Sequence, residues 1–130
     1  MIHKTLLTLV LLSSTIFALD WEKSLERAFT KAEAEHKNVM VMVEGEHCRW
    51  CKKMKQQTLS DKGIEKRLKE YVVVKVMRHD RSTKTTLPKV SGVPSTFFMK
   101  ADKTVIYELL GYVDVADFNA TLNDLKKRHK

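Results

Sequence analysis

The run Val39-Met40-Val41-Met42-Val43 constrains this chain more than any other feature. It is unbroken, apolar, rich in β-branched side chains and too short for a helix, so it reads as a strand covered on both faces. A second run of the same kind, Tyr71 to Met77, is interrupted only by Lys75. Strands buried on both faces need helices to cover them, and the sequence between and around these two supplies helical patterns. Ser95 to Lys100 and Thr104 to Leu110, joined by the turn Ala101-Asp102-Lys103, read as a hairpin. A strand–helix–strand unit followed by a hairpin and a helix is an α/β fold. It has a central mixed sheet with one antiparallel edge and helices on both faces.

The helices are read from caps and spacing. Asp20 can cap a helix from Trp21 to about His36, with Trp21, Leu25, Ala28, Phe29 and Ala32 on one face and Asn38 ending it. Gly45-Glu46-His47 breaks the first strand, and Cys48 to about Gln57 follows as a helix. Thr58-Leu59-Ser60-Asp61 ends that helix and caps another through Glu70, with Ile64 and Leu68 inward. Arg78 to Gly92 shows no strong period. After Gly111, Asp114 with Asp117 marks a final helix whose apolar face is Phe118, Leu122 and Leu125.

Residues 1–18 read as a signal peptide: a basic start at Ile2-His3-Lys4, an apolar stretch from Thr5 to Phe17, and Ala18 before cleavage. The alternative is an uncleaved amino-terminal anchor, although the stretch is short and hydroxyl-rich for a membrane span. Either way the rest, residues 19–130, is expected outside the cytoplasm, periplasmic or secreted, as one domain acting as a monomer. A hydrophobic fraction of 43% suffices for a core without disulfide staples. The formal charge of +8 is dispersed among carboxylates, as in Asp61-Lys62-Gly63-Ile64-Glu65-Lys66-Arg67, which is the pattern of a solvated face. Export argues against nucleic acid as a partner and leaves a weak attraction to acidic proteins or anionic lipid surfaces open.

The chain's two cysteines form Cys48-Arg49-Trp50-Cys51. A loop this short removes little entropy from the unfolded chain, so a bridge across it is a poor staple, and the pair points to chemistry. Cys48 falls at a helix start, where unpaired N–H groups favour its thiolate, and Arg49, Lys52 and Lys53 add positive charge. It is the expected nucleophile toward a substrate disulfide. Cys51, one turn further in, is the expected resolving thiol. Two sulfurs with His47 would also suit a soft-metal carrier for Cu(I) or Zn(II), and a redox-inert docking scaffold is a third reading. The exchange reading calls for no cofactor and no metal. Met40, Met42 and Met54 fall at core spacings. The sequon Asn119-Ala120-Thr121 falls in a helix and carries no weight.

Glu46-His47-Cys48-Arg49-Trp50-Cys51-Lys52-Lys53-Met54 after a strand, followed by Gly92-Val93-Pro94-Ser95-Thr96-Phe97-Phe98, resembles the thioredoxin-like superfamily from Val39 to Lys126. With Thr58-Leu59-Ser60-Asp61, the chain is most similar to exported members. Among these is the carboxy-terminal domain of the thiol-reducing transmembrane protein of the Dsb system. The resemblance implies that Pro94 is cis beside the cysteines and that Val93 offers its backbone to a substrate peptide. Pro88 reads as an ordinary loop proline. Trp50, read on its own, is a partly exposed contact for substrate or equally packs back onto the domain.

Two departures from the family pattern matter. His47 stands where thioredoxin has Trp, and either tunes Cys48 or is a surface histidine. Met42 replaces a buried Asp, although Lys75 matches the Lys that accompanies it. Glu44, on the same strand face as Met42, could substitute as proton acceptor for Cys51 or be a solvated strand-end residue. Lys75 could equally snorkel to the sheet edge. The direction of electron flow is read as reduction of substrate disulfides, with one argument against it. A stabilised thiolate makes the disulfide more oxidising, whereas the resemblance implies a reductase for exported proteins, recharged by a membrane-bound donor.

Overall fold

The computed structural model describes residues 18–128. The element order is β1 (Trp21–Glu22), α1 (Leu25–Glu35), β2 (Asn38–Glu44), α2 (Arg49–Lys53), α3 (Lys62–Leu68), β3 (Tyr71–Met77), α4 (Arg81–Thr86), β4 (Ser95–Met99), β5 (Val105–Leu110) and α5 (Val115–Arg128). A π-helical turn, Met54–Thr58, extends α2. The five strands form one mixed sheet in the order β1-β3-β2-β4-β5. β3 runs parallel to both β1 and β2, and β4 is antiparallel to both β2 and β5. The fold is α/β and thioredoxin-like.

Alternation along the strands divides the interior into two cores. Val39, Val41 and Val43 face one side with Val72, Val74 and Val76, under Leu25, Phe29 and Ala32 of α1 and Leu87 just after α4. Met40, Met42 and Phe98 face the other, against Cys51, Met54, Ile64 and Leu68, and against Phe118, Leu122 and Leu125 of α5. Each large side chain buried this way contributes about 1.5–3 kcal/mol.

The amino-terminal segment departs from the sequence expectation. Trp21–Glu22 is a strand pairing with Val73 and Val74, and the helix starts later, where the Ser24 hydroxyl accepts the Arg27 N–H at 3.1 Å. Trp21 sits at helical spacing from Leu25, but pairing with β3 satisfies its backbone and puts its ring on the sheet edge. The helix closes at His36, whose left-handed backbone (φ 55°) returns its N–H to the Ala32 and Glu33 carbonyls, so Asn38 already belongs to β2. α4 is the second departure. Only Thr83 of this helix is buried, and its hydroxyl donates to the Met77 carbonyl at 2.8 Å, so no apolar period marked it. Asp61 caps α3 as expected, accepting the Ile64 N–H at 3.0 Å. Residues 1–17 of the expected signal peptide lie outside the described residues.

Candidate functional site

The cysteines sit where β2 hands over to α2. Cys48 is the N-cap residue of α2, and its Sγ accepts the Cys51 N–H at 3.1 Å. Cys48 and Cys51 form a disulfide with Cα atoms 5.2 Å apart. Cys51 is only 2% exposed and packs with Met42 and Met54, whereas Cys48 is half-buried. The two cysteines therefore differ in access, the more exposed one standing at a helix start.

A second loop closes on the first. The Val93–Pro94 peptide is cis, Pro94 is buried, and its carbonyl accepts the Gly111 N–H at 2.7 Å. The Ser95 hydroxyl donates to the Gly92 carbonyl at 2.6 Å and braces the loop from within. Val93 reaches across to the β2–α2 turn. A Cβ built on Gly45 would stand 2.9 Å from Val93 Cγ2, so only glycine allows this approach. The proline loop is thereby held against the residues that lead into Cys48.

A sequence model of the thioredoxin-like domain matches residues 25–126. The chain belongs to the thioredoxin-like family. Its fold is similar to that of a thioredoxin from Thermus thermophilus, at 26% identity and a TM-score of 0.72, covering 83% of this chain and 87% of that one. It is also similar to the reduced DsbD carboxy-terminal domain of Neisseria meningitidis (22% identity, TM-score 0.61, covering 77% and 92%). A third is the periplasmic thioredoxin SoxS of Paracoccus pantotrophus (17% identity, TM-score 0.58, covering 72% and 100%). No curated protein matches the chain significantly in sequence. With a Cys-x-x-Cys disulfide at this position of the fold, this thioredoxin-like protein is a thiol–disulfide oxidoreductase.

Around the disulfide of this thioredoxin-like domain, Trp50 is 46% exposed and its ring lies 5.8 Å from that of Tyr112. The Arg49 guanidinium and the Lys53 ammonium stand 5.4 and 5.1 Å from the Trp50 centroid, and Lys53 is 4.6 Å from that of Tyr112. Tyr112 escaped sequence reading. It follows β5, far along the chain, and nothing local signals that its ring meets Trp50.

The remaining candidates are dispersed. Glu44 is half-buried at the end of β2 and ion-paired with Lys55 on the π turn. Lys75 lies beside Met42 in register, and its ammonium rests 4.7 Å from the centroid of Trp21. His47 is exposed, with a left-handed backbone (φ 53°), and makes no hydrogen bond or ion pair among the described residues. No group of three or more His, Cys, Asp or Glu side chains among the described residues is arranged to hold a metal ion. Sequence reading also passed over Thr96. It is 1% exposed beside Met42 in register, and its hydroxyl has no hydrogen-bond partner among the described residues.

Proposed function

We propose that this oxidoreductase is exported and reduces disulfides of other exported proteins, with Cys48 as nucleophile and Cys51 as resolving thiol. The observation that carries this reading is the asymmetric disulfide, the more exposed cysteine at the helix start and the other buried. In the reduced enzyme the Cys48 thiolate attacks one sulfur of the substrate disulfide. That bond breaks, the first substrate sulfur leaves as a thiolate, and a mixed disulfide forms. Cys51, deprotonated, then attacks Cys48 Sγ, expelling the second substrate sulfur and forming the Cys48–Cys51 bond. Two electrons pass from the enzyme dithiol to the substrate, and the two thiol protons end on the substrate thiols. A dithiol donor, assigned here to a membrane-bound partner, returns the enzyme to its reduced form.

The supporting roles follow from where the residues lie. The Cys51 N–H directed at Cys48 Sγ stabilises negative charge on that sulfur as the bond changes hands. Val93 offers its backbone to a substrate segment running past Cys48, and Pro94, having no N–H, leaves that segment without a competing donor. Trp50 provides an apolar surface beside the reacting sulfur, and Arg49 favours the thiolate by charge. Glu44 is proposed as proton acceptor for Cys51, in the absence of an acid at Met42. Lys75, resting on Trp21, is assigned no step, and exposed His47 only a modest influence on Cys48.

Export rests on the segment preceding Leu19, read as a signal peptide from its basic start and apolar stretch. No helix among the described residues is long and apolar enough to cross a membrane. The similarity to the periplasmic thioredoxin SoxS supports the same compartment. The deciding experiment is the equilibrium reduction potential of the Cys48–Cys51 couple in defined thiol buffers. A reductase is expected near the thioredoxin value of about −270 mV, and a value near about −120 mV would reverse the direction of electron flow.

A further inference from the structure

The exchange reading leaves open which disulfides reach Cys48, and the surface around it carries an answer. Arg49, Lys52 and Lys53 all lie within five residues of Cys48 and ion-pair with none of the described carboxylates. Arg49 and Lys53 instead rest against the Trp50 and Tyr112 rings, which hold their charges in place without neutralising them. Just before Cys48, Gly45 and Glu46 share an open hollow of about 390 Å³ with Arg78, His79 and Val93. Its walls add the Arg78 guanidinium against the Glu46 carboxylate, while the His79 imidazole lies 3.7 Å from the Asp80 carboxylate.

Resting on the exchange reading, we propose that the substrates of this site present acidic segments. Their reacting disulfide would be flanked by Asp or Glu side chains that meet Arg49, Lys53 and Lys52 on one side and Arg78 on the other. Cations already held on aromatic faces lose little further freedom when a carboxylate arrives, so binding cost is low. The same charges steer an acidic partner toward Cys48 before contact, in a chain of formal charge +8 that keeps 8 − 1 = +7 without the segment holding Lys4.

The test uses two synthetic peptides with the same internal disulfide, flanked in one by Glu and in the other by Lys. Second-order rates of reduction by the dithiol form of the protein are measured from low to high ionic strength. The Glu-flanked peptide is expected to react about tenfold faster at low salt, the ratio falling toward one as screening sets in. In the double variant Arg49→Gln/Lys53→Gln the low-salt ratio should shrink at least threefold, while Lys53→Arg alone should keep it. Equal rates for the two peptides, a faster Lys-flanked peptide, or a ratio indifferent to salt and to the double variant would overturn the proposal and leave the exchange reading standing. So would adsorption to vesicles of anionic lipid with no preference between peptides. Failure to reduce either peptide would overturn the exchange reading itself, and this inference with it.

Discussion

Gly45 and Val93, far apart in the chain, meet so closely that a Cβ on Gly45 would lie 2.9 Å from Val93 Cγ2. This contact joins the turn before Cys48 to the loop carrying Pro94, so the spacing between the two loops depends on a missing side chain. Gly45→Ala is expected to push the Pro94 loop outward. Stability should fall by about 1–3 kcal/mol, the usual cost of overpacking, and the rate of disulfide exchange should fall further than stability explains. Urea unfolding and exchange kinetics on the same variant check both. Unchanged exchange in a destabilised variant would mean that the two loops act independently.

Cys48 and Cys51 should behave unequally. Cys51→Ser is expected to accumulate covalent complexes with exported proteins, seen on non-reducing gels and lost on adding reductant. Cys48→Ser should trap few, because its remaining thiol is 2% exposed in the parent structure. In the reduced parent, Cys48 should alkylate well before Cys51 at neutral pH. Equal trapping by both variants would favour a shared-ligand or structural role for the pair.

Glu44→Gln should slow resolution of mixed disulfides and leave the first attack nearly intact. The ion pair to Lys55 supplies the control. Lys55→Met removes the pair but keeps the carboxylate. If Glu44 only tethers the π turn, both variants lose similar stability and neither alters the ratio of the two rates. Stopped-flow measurement of each step separates the roles.

Thr96→Val should stabilise the protein. Its hydroxyl is buried without a partner among the described residues, and valine has nearly the same shape without the desolvation penalty. A gain of about 1 kcal/mol is expected, read as a higher urea midpoint at unchanged slope. A loss of stability would show that the hydroxyl has a bonding partner in solution.

What could be read from sequence was whatever is local or buried on both faces. β3 spans Tyr71–Met77, the run read from the sequence, because a doubly covered strand leaves no polar alternation to blur its ends. The cysteines, the Asp61 cap and the hairpin turn are equally local. β1 was misread because Trp21 happens to sit in phase with Leu25, and α4 was missed because it buries too little to show a period. Tyr112 against Trp50 and Lys55 against Glu44 are meetings across the fold, set by a loop and by a π turn, and no residue spacing announces either.

The π turn at Met54–Thr58 also bears on how chains of this fold should be aligned. Its closing bond runs from the Leu59 N–H to the Met54 carbonyl, one residue more than an α-helical turn encloses. A homologue that continued the helix regularly would need one residue fewer between Cys51 and Asp61 to keep both in the same place. The π turn thus absorbs an inserted residue without moving the redox pair or the next cap. It leaves Thr58 buried, with its hydroxyl donating to the Val113 carbonyl at 2.6 Å. Deleting Gln56 or Gln57 should therefore be tolerated far better than deleting one residue from α3, where no such slack exists.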